Sequence, residues 1–116
     1  MQNKLLMQNF VLDLLRSNLP PNYLYHNAEH TIYVIEKALE IGRFEGCTKE
    51  ELELVSIAAL WHDTGLIKVY QHHEKESCDM AREYLSKNDY LIEDINRICD
   101  IIMATQLPQH PHDILG

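Results

Sequence analysis

Apolar residues recur at three- and four-residue steps along nearly the whole chain, the period of helices that pack by one face. Leu6, Met7, Phe10, Val11, Leu14 and Leu15 predict a first amphipathic helix over about residues 3–17. Leu19-Pro20-Pro21-Asn22 breaks it, because proline has no N–H to give, and residues 23–27 read as loop. A second helix is expected over about residues 28–44, with His30, Val34, Ala38 and Ile41 on one stripe and Gly46 just past its end. Thr48-Lys49-Glu50-Glu51 is a capping box that starts a third helix, whose stripe is Leu52, Val55, Ala59 and His62 and which Gly65 closes. After a polar loop over roughly residues 68–73, a fourth helix spans about 74–87 and turns Ala81, Tyr84 and Leu85 inward. Asn88-Asp89 is a turn. A fifth helix then carries Leu91, Ile95, Ile98 and Ile102 and ends near Thr105, before Pro108 and Pro111.

Strand-type alternation of any length, repeats, low-complexity stretches and linkers are absent from the sequence. The expected architecture is therefore all-α, a single-domain bundle of about five helices over residues 1–116. With 116 residues, 46% apolar and 24% charged, the chain can bury one core and is not of disordered composition.

A formal charge of −8 argues against nucleic acid as a partner, since a phosphate backbone calls for a Lys/Arg surface. It does not argue against a small phosphorylated substrate, because a bound cation can supply local positive charge. Cys47, Cys78 and Cys99 are odd in number and widely spaced, which reads as reduced thiols. No signal-type or membrane-spanning apolar run is present, so a soluble cytoplasmic protein with no membrane partner is expected.

His30 and His62 occupy stripe positions where the helical pattern calls for apolar side chains, and Asp63 follows His62 directly. An imidazole buried without a partner costs about 1–3 kcal/mol, so each needs a reason to be there. One reason is a hydrogen bond to a backbone carbonyl or an acid, which makes it a structural core histidine. The other is a shared divalent ion, for which neutral imidazole and carboxylate are ordinary ligands. Two such histidines on consecutive helices, with Asp63 at a helix end where it can bend toward the same point, favour the ion.

The strings Tyr25-His26-Asn27-Ala28-Glu29-His30-Thr31 and Trp61-His62-Asp63-Thr64-Gly65 resemble the HD superfamily of metal-dependent phosphohydrolases. The first is also similar to the corresponding segment of cyclic-nucleotide phosphodiesterases in that superfamily. The resemblance runs from about Tyr23 to Pro108. It implies that His30, His62 and Asp63 are metal ligands, with Asp63 also able to take a proton from water. It implies that His26 is a general acid and that Asn27 orients it, although helix capping alone would explain Asn27. His73, Glu74 and Ser77 resemble a His-Glu-x-x-Ser segment that lines the pocket or touches substrate, and Lys68 and His72 are candidate phosphate contacts.

Two departures bear on that expectation. The family's late aspartate ligand has no clear counterpart before Gly116, with Asp113 a poor substitute, so the chain reads as a domain incomplete at its C-terminus. Thr105 stands where two-metal members carry a histidine, which points to one divalent ion (Mn, Fe, Co, Ni, Zn or Mg). The expected function is hydrolysis of a small phosphate ester, a nucleotide or a relative of one, by metal-activated water. The alternative is a catalytically silent HD module that binds a nucleotide or a protein. A domain incomplete in this way would leave apolar faces of the fifth helix bare, and either self-association through the C-terminal third or a disordered tail after about Pro108 folding loosely over them is expected from that.

Overall fold

A computed structural model describes residues 3–19, 28–69 and 71–105. Among these, the elements are α1 (Lys4–Asn18), α2 (Ala28–Phe44), α3 (Lys49–Trp61), a 3-10 turn (Thr64–Ile67), α4 (His73–Lys87) and α5 (Ile92–Ala104). The expected all-α architecture is present, and none of these helices is long and apolar enough to cross a membrane.

α3 is the central element. It packs against α1, α2, α4 and α5, and Leu54 and every residue from Ser56 to Trp61 are buried. The C-terminal half of the helix therefore has no polar face, and the one-stripe reading over Leu52, Val55, Ala59 and His62 captured only part of its contact surface. Its start is the expected capping box. Thr48 Oγ1 accepts from the Glu51 N–H at 3.1 Å, and Glu51 Oε1 accepts from the Thr48 N–H at 2.8 Å. Around α3, the core is built from Met7, Val11 and Leu15 of α1, Ala81 and Leu85 of α4, and Ile95, Ile98 and Ile102 of α5.

Several inward faces differ from the sequence expectation. In α1 the buried phase is Met7, Val11, Leu12 and Leu15, while Leu6 and Phe10 are exposed. The apolar run there is wide enough to serve two phases, and packing against α2, α3 and the 3-10 turn selects one of them. In α2, Ile41 is 62% exposed and Gly42 is the buried residue. A Cβ at Gly42 would lie 2.6 Å from Leu52 Cδ2, so a larger residue there would require the Leu52 side chain to turn away from this approach of α2 to α3.

α5 departs most from the expectation of a bare surface. Ile95, Ile98, Cys99 and Ile102 are all buried, covered by α3 and α4, and the large side chains left exposed are Leu91, Ile92 and Met103. The apolar surface expected to be bare on and beside α5 is therefore reduced to these three side chains. Pro108, Pro111 and Asp113 lie outside the described residues.

Candidate metal centre

α2 begins at Ala28, which places His30 in its first turn. α3 ends at Trp61. His62 is its C-cap with helical backbone angles, and Asp63, at φ −104° and ψ 2°, carries the chain out of the helix. A helix end leaves carbonyl groups without intrahelical partners, and here neighbouring hydroxyls take them. Thr64 Oγ1 donates to the Trp61 carbonyl at 2.7 Å, and Ser77 Oγ donates to the His62 carbonyl at 2.8 Å. Ser77 Oγ also accepts from the Gly65 N–H at 2.8 Å, so one fully buried hydroxyl ties the start of α4 to both sides of Asp63.

Gly65 allows that contact. A Cβ there would collide with the His73 carbonyl oxygen and sit 2.8 Å from the Ser77 nitrogen. The glycine therefore lies inside the 3-10 turn for close approach to α4, and does not cap α3 as the sequence pattern suggested.

These elements bring His30, His62 and Asp63 together, each with one potential ligand atom within 4.8 Å of the others. The His30 and His62 rings are 6.4 Å apart and inclined by 50°. His62 Nε2 is 3.1 Å from Asp63 Oδ2, and His73 Nε2 is 3.1 Å from Asp63 Oδ1. The Asp63 carboxylate, only 3% exposed, thus lies between two imidazoles. Glu74 Oε2 approaches the same His73 nitrogen at 3.5 Å.

The His62 ring is held from behind. Its Nδ1 is 2.6 Å from the Ala59 carbonyl, an acceptor only, so Nδ1 carries a proton and Nε2 is the nitrogen left to face Asp63. Burial alone would lower the His62 pKa, but the hydrogen bond and charge of Asp63 outweigh it, helped by the Ala59 carbonyl and Glu74, and the net direction is upward. A proton on Nε2 is thereby stabilised at the place a cation would occupy. The donor set also fits a divalent ion: two imidazoles and a carboxylate, with one imidazole fixed through its other nitrogen and the carboxylate held by a further group.

With that geometry, a second observation decides the family: the model of the HD domain matches residues 27–111. The chain belongs to the HD domain family. No curated protein and no solved structure matches it.

In this HD domain the remaining site residues expected from sequence fall into three groups. His73 and Glu74 border the cluster, with His73 directly on Asp63. His72 is exposed, in the left-handed conformation that precedes α4 (φ 58°), while Lys68 lines a separate cavity together with Trp61 and Tyr84. His26 and Asn27 lie outside the described residues. Ser77 is a clamp on the His-Asp turn; its buried hydroxyl donates to one backbone carbonyl and accepts from one backbone N–H. Thr105, expected at the position of a second-metal histidine, is exposed and donates to the Ile102 carbonyl at 2.6 Å.

The sequence reading missed the supports: the Ala59 carbonyl behind His62, Thr64 on Trp61, and the closeness of His73 to Asp63. The only sequence signal for the first is its i−3 spacing, which any helix offers.

Proposed function

We propose that this HD domain is a metal-dependent phosphohydrolase acting on a small phosphate ester, a nucleotide or a relative of one. The observation that carries this reading is the convergence of His30 of α2 with His62 and Asp63 at the end of α3, within reach of a single ion. Family membership supports it, since HD domains are commonly hydrolases of this kind. A divalent ion held there supplies Lewis acidity toward a phosphoryl oxygen and a nucleophilic water near neutral pH.

The protein's own groups set up the rest. The Ala59 carbonyl fixes the tautomer and direction of His62. His73, as an N–H donor, orients Asp63 and leaves its second oxygen as ligand or as acceptor of a proton from water. His26, by its resemblance to the family's acid, protonates the leaving oxygen in this proposal. Glu74 supports His73 and is too buried to meet a bulky substrate.

The test begins with metal analysis of the purified chain, followed by a phosphoesterase screen with added Mn²⁺. Bound divalent metal, with turnover that His62→Ala abolishes while helical circular dichroism persists, is the expected result, because packed apolar faces hold the helices. Turnover undiminished in His62→Ala would remove the dyad from the chemistry. Metal bound without turnover would favour a silent binding module.

A further inference from the structure

α2 packs on α3 and, more lightly, on α1, and it meets the core through Ala28, Ile32 and Ile35. Its outward side is not the polar face that a surface helix ordinarily gives to water. Tyr33, Ile41 and Phe44 are 56%, 62% and 88% exposed, and their helical spacing sets them along one side. Lys37 stands between them, with Nζ 5.7 Å from the Tyr33 ring centroid and 3.5 Å from Glu40 Oε2. Among the described residues nothing covers this side. Ile41, which the sequence pattern turned inward, is part of it.

The order of these residues is self-complementary. Reversing α2 about the point between Ala38 and Leu39 sets Tyr33 opposite Phe44, and Lys37 opposite Glu40. A two-fold contact needs this property, since each residue that meets a second residue of the partner is met by it in return. Two copies of α2 laid antiparallel in that register bring ring against ring at both ends. At the centre a cation meets an anion twice, and the two Ile41 side chains flank the axis. A lipid surface suits the same face less well. Interfacial helices are rich in Lys and Arg, whereas α2 has Glu29, Glu36 and Glu40 against Lys37 and Arg43 on a chain of formal charge −8.

We propose that this side of α2 is a self-association surface, which closes a two-fold dimer by antiparallel packing of α2 on its counterpart. The contact residues and the metal ligands are different, so the dimer stands apart from the hydrolase reading. One helix of 17 residues per copy makes a contact at the low end of stable interfaces, which implies an affinity in the micromolar range.

Sedimentation velocity of the full chain, from low micromolar to several hundred micromolar and with EDTA present to prevent bridging by metal, tests the proposal. A reversible dimer is expected. Phe44→Asp should weaken it by about a hundredfold or more, because a two-fold contact loses the ring twice. Lys37→Glu and Glu40→Lys each set like charges opposite one another and should weaken the dimer roughly tenfold. Mixing those two variants in equal amounts should restore association as a heterodimer, since every glutamate of one then faces a lysine of the other. All three positions are exposed, so circular dichroism of the variants should match the parent. A parent that stays monomeric throughout, a dimer indifferent to Phe44→Asp, or charge variants that gain nothing on mixing would each overturn the proposal.

Discussion

α5 and the turn between α3 and α4 both pack against α4, yet they are held by opposite means. On α5, Ile95, Ile98 and Ile102 are at most 2% exposed and contribute area alone. At the turn, Asp63, Thr64, Glu74 and Ser77 are buried and polar, and their contacts are directional: hydroxyl to carbonyl, imidazole to carboxylate. Removing apolar area from α5 lowers stability and leaves the site's geometry alone. Removing one donor at the turn strands another buried polar group and moves a ligand. The two regions therefore separate the residues that keep the domain folded from those that give it chemistry.

The largest effect on stability is expected on the apolar side. Ile98, 0% exposed, sits between α5 and the core, and Ile98→Ala should cost about 2–5 kcal/mol through lost burial and the cavity left behind. Urea unfolding followed by circular dichroism measures it. Metal affinity of the folded variant should stay as in the parent, and a matching loss of metal binding would show that the two regions are not separable.

On the polar side, Ser77→Ala strips the partner from both the His62 carbonyl and the Gly65 N–H. The expected cost is about 1–3 kcal/mol, the range for buried backbone groups left unsatisfied. Unlike Ile98→Ala, it should also weaken metal binding, because the turn that aims Asp63 loses its tie to α4. Isothermal titration with Mn²⁺ beside the unfolding curve distinguishes the two variants. A Ser77→Ala protein that is less stable but binds metal normally would make the clamp purely structural.

The same contrast explains what could be read in the sequence. α5 was legible because it is amphipathic, and Ile95, Ile98 and Ile102 fall on one face whatever the neighbours are. The surprise there lay in coverage, since α3 and α4 suffice to bury the stripe. α3 was only half legible: buried all round from Ser56 to Trp61, its C-terminal half carries no polar face to mark its phase. In α2, pattern chose Ile41 and packing chose Gly42, because the constraint was closeness to Leu52, which hydropathy does not register. At the candidate site, His30 and His62 stood out as polar residues in apolar positions, and Asp63 as an acid directly after the second of them. The partners that aim them did not. The Ala59 carbonyl is backbone, and the approach of His73 to Asp63 depends on α4 beginning one residue earlier than its pattern suggested, after the left-handed His72.

His73 tests the directional network more finely. His73→Gln keeps a donor but changes its reach to Asp63 Oδ1, now 3.1 Å from the imidazole. Replacing groups that orient a ligand typically costs 10–100-fold in metal affinity, and a loss of about that size is expected here. Thermal stability should change by less than in Ser77→Ala, since His73 stands at the edge of the core with 16% of its side chain exposed. Metal affinity equal to the parent would mean that Asp63 holds its position without His73.

The smallest perturbation probes the apolar side without a mutation. Cys78 of α4 and Cys99 of α5 lie against each other's backbone, with Cys78 Sγ 3.4 Å from the Cys99 carbonyl. Burial first, and then the neighbouring Cys99, pushes the Cys78 thiol up to about 12. The thiolate is the reactive form, so at pH 8 Cys78 is both covered and protonated. Cys47, ahead of α3, is only partly buried. A water-soluble disulfide reagent should therefore consume Cys47 alone in the native protein, and Cys78 and Cys99 only as α4 and α5 separate. Ile98→Ala should speed the slow phase, since it lowers the free energy of that opening, whereas His73→Gln should leave it nearly unchanged. Equal acceleration by both variants would mean that the apolar layer and the polar turn open as one unit.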